Sequence, residues 1–295
     1  MIRLRLATIL TALLFALPLR AEIAIQEVTS PGGITAWLVE DHGIPFVALD
    51  MAFQGGTSLD LPGERGAVNL MAATLEEGAG AMDAQAFAAA RDSLAAGFGF
   101  AANQDAVSIS ARFLTENRDQ AVDLLRQAIL SPRFDQDAVD RVRGQDLSGL
   151  ASDATAPSSL ASDTFNALAF GKHPYATSGD GTPESVTALT RDDLIEAKAR
   201  TMARDRLHVA AVGDITPEQL GQMLDRLFGD LPDTGAPLPG RARWQAPGGV
   251  KVIDFDTPQS VVVFGQAGMR RDDPDFFPAY ILNEILGGSR FSARL

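Results

Sequence analysis

The sequence predicts an α+β chain built on a duplicated unit, the second copy incomplete. Three observations carry this. Segments of strict two-residue alternation are interspersed with segments of helical spacing. The order strand, strand, D-x-P loop, helix, glycine occurs twice, once around Asp60-Leu61-Pro62 and again around Asp272-Asp273-Pro274. The second occurrence follows a stretch at 231–248 rich in Pro and Gly (Pro232, Gly235, Pro237, Pro239, Gly240, Pro247), which reads as an interdomain linker.

Each element has its own signal. Arg3 and Arg5 precede an apolar run from Leu6 to Leu17 that only Thr8 and Thr11 interrupt, and Pro18 and the small Ala21 follow. This is the pattern of a cleavable secretory signal over residues 1–21, shorter than the roughly 20 apolar residues of a membrane span. An N-terminal anchor is the alternative. Cleavage would leave Glu22 first and place the protein in the periplasm or outside the cell, with no membrane insertion afterwards. Ile34–Val39 and Pro45–Phe53 read as the strands of a hairpin turning at Asp41-His42-Gly43. Val68, Met71, Ala72 and Leu75 then share one helical face, and Gly78-Ala79-Gly80 stops that helix. A helix is expected from Ala84 to Leu94. In the strand from Ala106 to Phe113, Val107, Ile109, Ala111 and Phe113 face one way and Ser108, Ser110 and Arg112 the other, so one of its faces is wet. Helices follow over Asn117–Ile129, from Asp135 towards Leu150, and over Arg191–Met202; the stretch from Ser158 to Tyr175 gives no clear signal. Leu207–Val212 reads as a buried strand. Thr216-Pro217-Glu218-Gln219 is a capping box with proline at the first helical position. Beyond the linker, Lys251–Phe255 and Ser260–Phe264 read as strands and Phe276–Leu286 as a helix stopped by Gly287-Gly288.

Composition excludes several functions. The chain has no cysteine, which removes disulfides, thiolate metal sites, lipoprotein anchoring and thiol catalysis. Without the three arginines of the signal, 22 basic residues face 38 acidic ones, a net charge of −16, which opposes nucleic acid and anionic lipid. The only histidines are His42, His173 and His208, no two of them within five residues, so none forms a local ligand pair. Glu76-Glu77 is an adjacent pair on a helix; neighbours there point about 100° apart and cannot converge on one atom. No nucleophile elbow or phosphate-binding loop is present.

Several short motifs, in order along nearly the whole mature chain, carry a resemblance. They are Gly55-Gly56-Thr57 with Pro62-Gly63 and Gly66-Ala67, Phe170-Gly171-Lys172-His173-Pro174-Tyr175, the strand end His208–Ile215 with its Val212-Gly213-Asp214, and Leu286-Gly287-Gly288-Ser289-Arg290-Phe291-Ser292. In these the chain resembles the insulinase-like, or pitrilysin, metallopeptidases. The resemblance implies duplicated domains, each an antiparallel sheet flanked by helices, that pair to enclose a chamber. Taken with the signal pattern, the linker composition and the repeat, the chain reads as a signal at 1–21, a first domain at 22–230, a linker at 231–248 and the start of a second domain at 249–295, within a protein of about 430–440 residues if the repeats are equal.

Active members of that family carry H-x-x-E-H on the first helix. Histidines four apart lie on one helical face and share a zinc ion, and the glutamate activates its water. Here the corresponding positions are Asn69, Ala72 and Ala73, and the third-ligand position aligns with Gly149; no Glu occurs between Asn117 and Ser158. The resemblance therefore implies no catalytic residue, no metal and no cofactor in this chain, zinc being expected only in an active partner. It implies a place near substrate for Gly287, Gly288 and Ser289, for which a plain helix stop is the alternative. An Arg and a Tyr that bind the substrate carbonyl would fall beyond Leu295. The expected function is that of a non-catalytic partner subunit that encloses and holds unfolded peptides for an active H-x-x-E-H subunit. The alternative is a zinc-less structural scaffold with no role in proteolysis.

Overall fold

The computed structural model describes residues 24–288 and 293–294; the signal segment and Ser289 lie outside them. The strands are β1 (Gln26–Thr29), β2 (Thr35–Glu40), β3 (Phe46–Gln54), β4 (Gly78–Ala79), β5 (Met82–Asp83), β6 (Gly97–Ala102), β7 (Ala106–Leu114) and β8 (Leu207–Gly213). The helices are α1 (Ala67–Thr74), α2 (Ala84–Ser93), α3 (Arg118–Leu130), α4 (Gln136–Asp153), α5 (Pro157–Phe170), α6 (Pro183–Ala188), α7 (Arg191–Thr201), α8 (Pro217–Phe228) and α9 (Phe276–Gly287). Six strands form one sheet in the order β1-β2-β8-β3-β7-β6, and β4 and β5 form a separate ribbon. Every pairing in the large sheet is antiparallel except the parallel β2–β8 pair.

The expected hairpin between Ile34–Val39 and Pro45–Phe53 does not form. β8 lies between its two strands, with Trp37 opposite Ala210 on one side and Met51 opposite Val209 on the other. A buried strand must satisfy backbone groups along both edges, and a central place in the sheet does so. The 41–45 connection steps over the end of β8: Asp41 N–H donates to Gly213 O and Asp214 N–H to Phe46 O, both at 2.9 Å. Gly213 has φ +130°, and a Cβ there would lie 2.1 Å from Phe46 O, so only glycine fits. The hairpin that does form joins β1 to β2 through Ser30-Pro31-Gly32-Gly33, where the Ser30 hydroxyl accepts from Ile34 N–H at 3.0 Å.

The alternation of β7 is realised as expected: Val107, Ile109, Ala111 and Phe113 are buried while Ser110 and Arg112 face solvent. With Leu38, Leu49, Met51, Phe53 and Val209 they form the inner face, which is covered by Val68, Met71 and Leu75 of the α1 turn and by Leu224, Leu227 and Phe228 of α8. Phe53 and Phe228 meet edge to face, with centroids 6.3 Å apart. Each such fully buried aromatic contributes about 2–3 kcal/mol from its apolar area. The capping box of α8 is present, with Gln219 N–H donating to Thr216 Oγ1 at 3.3 Å and Thr216 N–H to Gln219 Oε1 at 3.1 Å.

The strands expected at Lys251–Phe255 and Ser260–Phe264 are absent, and both stretches run without regular structure. Val252, Val262 and Phe264 are more than three-quarters exposed, and α9 buries none of its residues. Two strands and one helix with nothing packed against them have no face to bury, and an isolated hairpin is marginal in water.

A buried charge pair fixes the start of α1. The Asp60 carboxylate has no exposed surface; its oxygens accept from Val68 N–H at 2.9 Å and Gly66 N–H at 3.0 Å, and Arg65 Nη1 lies 3.4 Å away. Arg65 donates onward to the carbonyls of Ser178 (2.9 Å), Pro174 and Thr177 (both 3.0 Å), and Thr57. One guanidinium thus ties the D-x-P loop to a segment more than a hundred residues later. Burial pushes the Asp60 carboxyl up to about 6, against the pull of the two N–H groups and Arg65. A carboxyl whose folded value is raised stabilises fully below its unfolded value near 4, and that contribution is lost as pH rises through about 6. We predict that the stability of the wild type relative to Asp60→Asn falls by about 2–3 kcal/mol between pH 4 and pH 7. Urea unfolding at one-unit pH intervals measures this, and a difference that grows with pH contradicts it.

Candidate functional site

The four positions implied by the H-x-x-E-H comparison lie on α1 and on α4, which packs beside it. Ala72 is 1% exposed, its methyl part of the core, while Asn69 and Ala73 are half-buried. Gly149 is exposed, with open space where a side chain would project. One turn earlier on α4, half-buried Asp146 has its carboxyl pushed up to about 6 by burial and by the charge of Asp180. Among the described residues no group of three or more His, Cys, Asp or Glu is placed to hold a metal ion.

The histidines are dispersed to other tasks. His42 Nδ1 lies 2.6 Å from Asp214 Oδ1, tying the 41–45 connection to the end of β8; that bond raises its pKa. His173 Nδ1 accepts from Tyr175 N–H at 3.2 Å, which leaves Nε2–H to donate to Gly240 O at 2.8 Å. His208 stands exposed on the open face of the sheet. Glu76 and Glu77 pair separately with Arg91 (2.8 Å) and Arg141, as a solvated helix end would.

The motifs that carry the family resemblance build a scaffold around the β6–β7 turn. Gly55 N–H donates to Asp105 O at 2.6 Å, Thr57 N–H to Asn103 O at 2.8 Å and Ser58 N–H to Gln104 O at 3.2 Å. Gly56, at φ +47°, lets the chains approach closely, since a Cβ there would sit 2.0 Å from Asn103 O. Tyr175 donates its hydroxyl to Asp105, which pushes the phenol up to about 12. So Gly55-Gly56-Thr57 and His173-Pro174-Tyr175, far apart in sequence, grip the same turn.

That turn positions β6, the end strand of the sheet, whose outer edge is unpaired among the described residues. Phe98, Phe100 and Ala102 pack inward against the core, and Gly97, Gly99 and Ala101 take the open face. Chemically the site offers backbone donors and acceptors along an edge, with no acid, base or nucleophile aligned with them among the described residues. Gly287 is the last residue of α9 and Gly288 its cap, with N–H donating to Glu284 O at 3.2 Å; Ser289 lies outside the described residues. The structure does not bring this loop into a built site with Asn69, Ala72 and Ala73, since α9 buries nothing. Sequence reasoning missed β6 and Arg65. The alternation of Phe98, Phe100 and Ala102 could have revealed the strand; nothing local marks Arg65.

Comparison with known proteins agrees with this geometry. A family model described as "Peptidase M16 inactive domain" matches residues 188–295. The chain is 29% identical over 257 residues, 87% of its length, to the Helicobacter pylori protein named "Non-peptidase homolog YmxG", and spans 59% of that relative. It is 26% identical over 191 residues to a probable mitochondrial-processing peptidase subunit beta of Schizosaccharomyces pombe, covering 62% of this chain and 38% of that one. Among solved structures, a peptidase M16 inactive domain from Pseudomonas fluorescens superposes with a TM-score of 0.76 at 26% identity, over 92% of this chain and 66% of that one. With its antiparallel-rich sheet and flanking helices, the chain is similar to zinc-less members of the insulinase-like (M16) peptidase family, over its second half by family model and over most of its length by relatives and fold.

Proposed function

We propose that this protein is a non-catalytic subunit, exported to the periplasm, that holds unfolded peptides in extended form for an active H-x-x-E-H subunit of the same family. The observation that carries the reading is the free edge of β6 beside an α1 stripped of zinc ligands. Peptide holding by strand addition needs only an open row of backbone N–H and C=O groups, whereas cutting needs a complete metal shell. The printed names of the relatives, one a non-peptidase homolog and one a processing-peptidase subunit, support a division of labour. In this reading the segment at 1–21 is removed before Glu22, and Gly287, Gly288 and Ser289 give a second contact to peptide from the linked domain. Zinc resides in the active partner alone.

The full-length protein after dialysis is expected to hold no stoichiometric zinc. The triple change Asn69→His, Ala72→Glu and Ala73→His is expected not to restore it, because Gly149 still leaves the shell one ligand short. Metal analysis decides this, and one zinc per wild-type chain contradicts it. Mixed with an active family member encoded beside it, the full-length protein is expected to form a complex on gel filtration and to raise cleavage of unfolded peptides at least about tenfold, as a coupling of roughly 1.4 kcal/mol gives. No complex and unchanged cleavage would leave the zinc-less scaffold as the reading.

A further inference from the structure

The segment at 231–248 reads in sequence as a flexible spacer, yet most of it is fastened to the N-terminal unit. Leu231 is buried. Arg204 N–H donates to Pro232 O at 2.9 Å, Asp205 N–H to Asp233 O at 3.1 Å and Ala236 N–H to Arg200 O at 2.9 Å, so 232–236 runs beside the loop before β8. Leu238 packs against the Gly55 backbone. The Gly240 carbonyl receives the His173 Nε2–H at 2.8 Å. Trp244 rests on Phe165 of α5, ring centroids 5.8 Å apart, and Gln245 N–H donates to Ala169 O at 2.8 Å at the end of that helix. Gly171, at φ +59°, makes room for the Gln245 side chain.

Beyond Gln245 no backbone hydrogen bond joins the described residues to the N-terminal unit, and the next close approach is Gly265 against the Phe165 ring. Gly248 and Gly249 have φ +79° and +93°, and nothing lies within 4 Å of either Cβ position. Two successive glycines with open space around their Cα atoms have wide backbone freedom.

We infer that the linker is two devices: a strap, residues 232–245, that is mechanically part of the N-terminal unit, and a swivel at Gly248-Gly249 about which the following segment turns. The inference rests on the two-domain reading. It gives His173 a task that needs no metal. With Nδ1 accepting from Tyr175 N–H, it clamps the strap at Gly240 through Nε2–H and couples it to the turn that supports β6. The strap also carries the chain from the end of α8, past the loop before β8, across to the end of α5, so the second unit is tethered beside α5 and not beside α8.

Hydrogen exchange on the full-length protein tests this. The Ala236 and Gln245 amides are expected to exchange at least about tenfold more slowly than those of Gly248 to Lys251. Trp244→Ala is expected to speed exchange over 240–245 by about tenfold or more, leaving β3 and β8 unchanged. His173→Ala is expected to do the same at 238–241, with His173→Gln, which still donates to Gly240 O, closer to wild type. Equal exchange across 232–251, whether fast or slow, overturns the proposal, as does a Trp244→Ala effect spread over the whole N-terminal unit. The readout needs no peptidase partner, so failure of the strap and failure of the partner reading are separable.

Discussion

The Asp60–Arg65 pair is the interaction on which the site depends. A carboxylate with no exposed surface would carry a heavy desolvation cost if left alone. Here two N–H groups at the start of α1 and one guanidinium share it. Arg65 spends its remaining donors on the carbonyls of Thr57, Pro174, Thr177 and Ser178, so the position of α1 and the position of the His173–Tyr175 segment are one constraint. Tyr175 passes that constraint on to Asp105, and Asp105 O to Gly55 N–H. The β6 edge is therefore held in place from several sides by contacts that involve no metal.

This explains how a zinc-peptidase helix can keep its geometry without its chemistry. The orientation of α1 comes from its cap and from Val68, Met71 and Leu75 in the core, none of which is a ligand. At Ala72, the position the resemblance implies for the general base, a buried methyl gives apolar packing where a carboxylate would need solvent or metal. Asp146 is the one half-buried acid left on the neighbouring face of α4, and a single carboxylate supplies neither a metal shell nor an acid–base pair. What persists is the scaffold that presents a strand edge.

Much of this was legible in the sequence because it is local. The stripe of α1, the alternation of β7 and the capping box at Thr216 each follow from spacing within a dozen residues, and all three appear in the structure. What could not be read is long-range. Nothing near residues 34–53 shows that β8, from the far end of the unit, will separate the two strands. Gly97 and Gly99 look like loop residues, although they simply take the open face of a strand whose other face is Phe98 and Phe100. The segment after the linker has strand-like composition, but strands need a neighbour and a second layer, which 250–288 does not have.

The central claim is that this protein grips extended peptide at an edge where it cannot cut. The most direct measurement is hydrogen exchange of the Gly97–Ala102 amides in the full-length protein, with and without saturating unfolded peptide, together with mass analysis of the peptide afterwards. The account predicts slowed exchange at alternate β6 amides, those that face the free edge, with the peptide recovered intact. Unchanged exchange along β6, or a cleaved peptide in the absence of any partner, would contradict it.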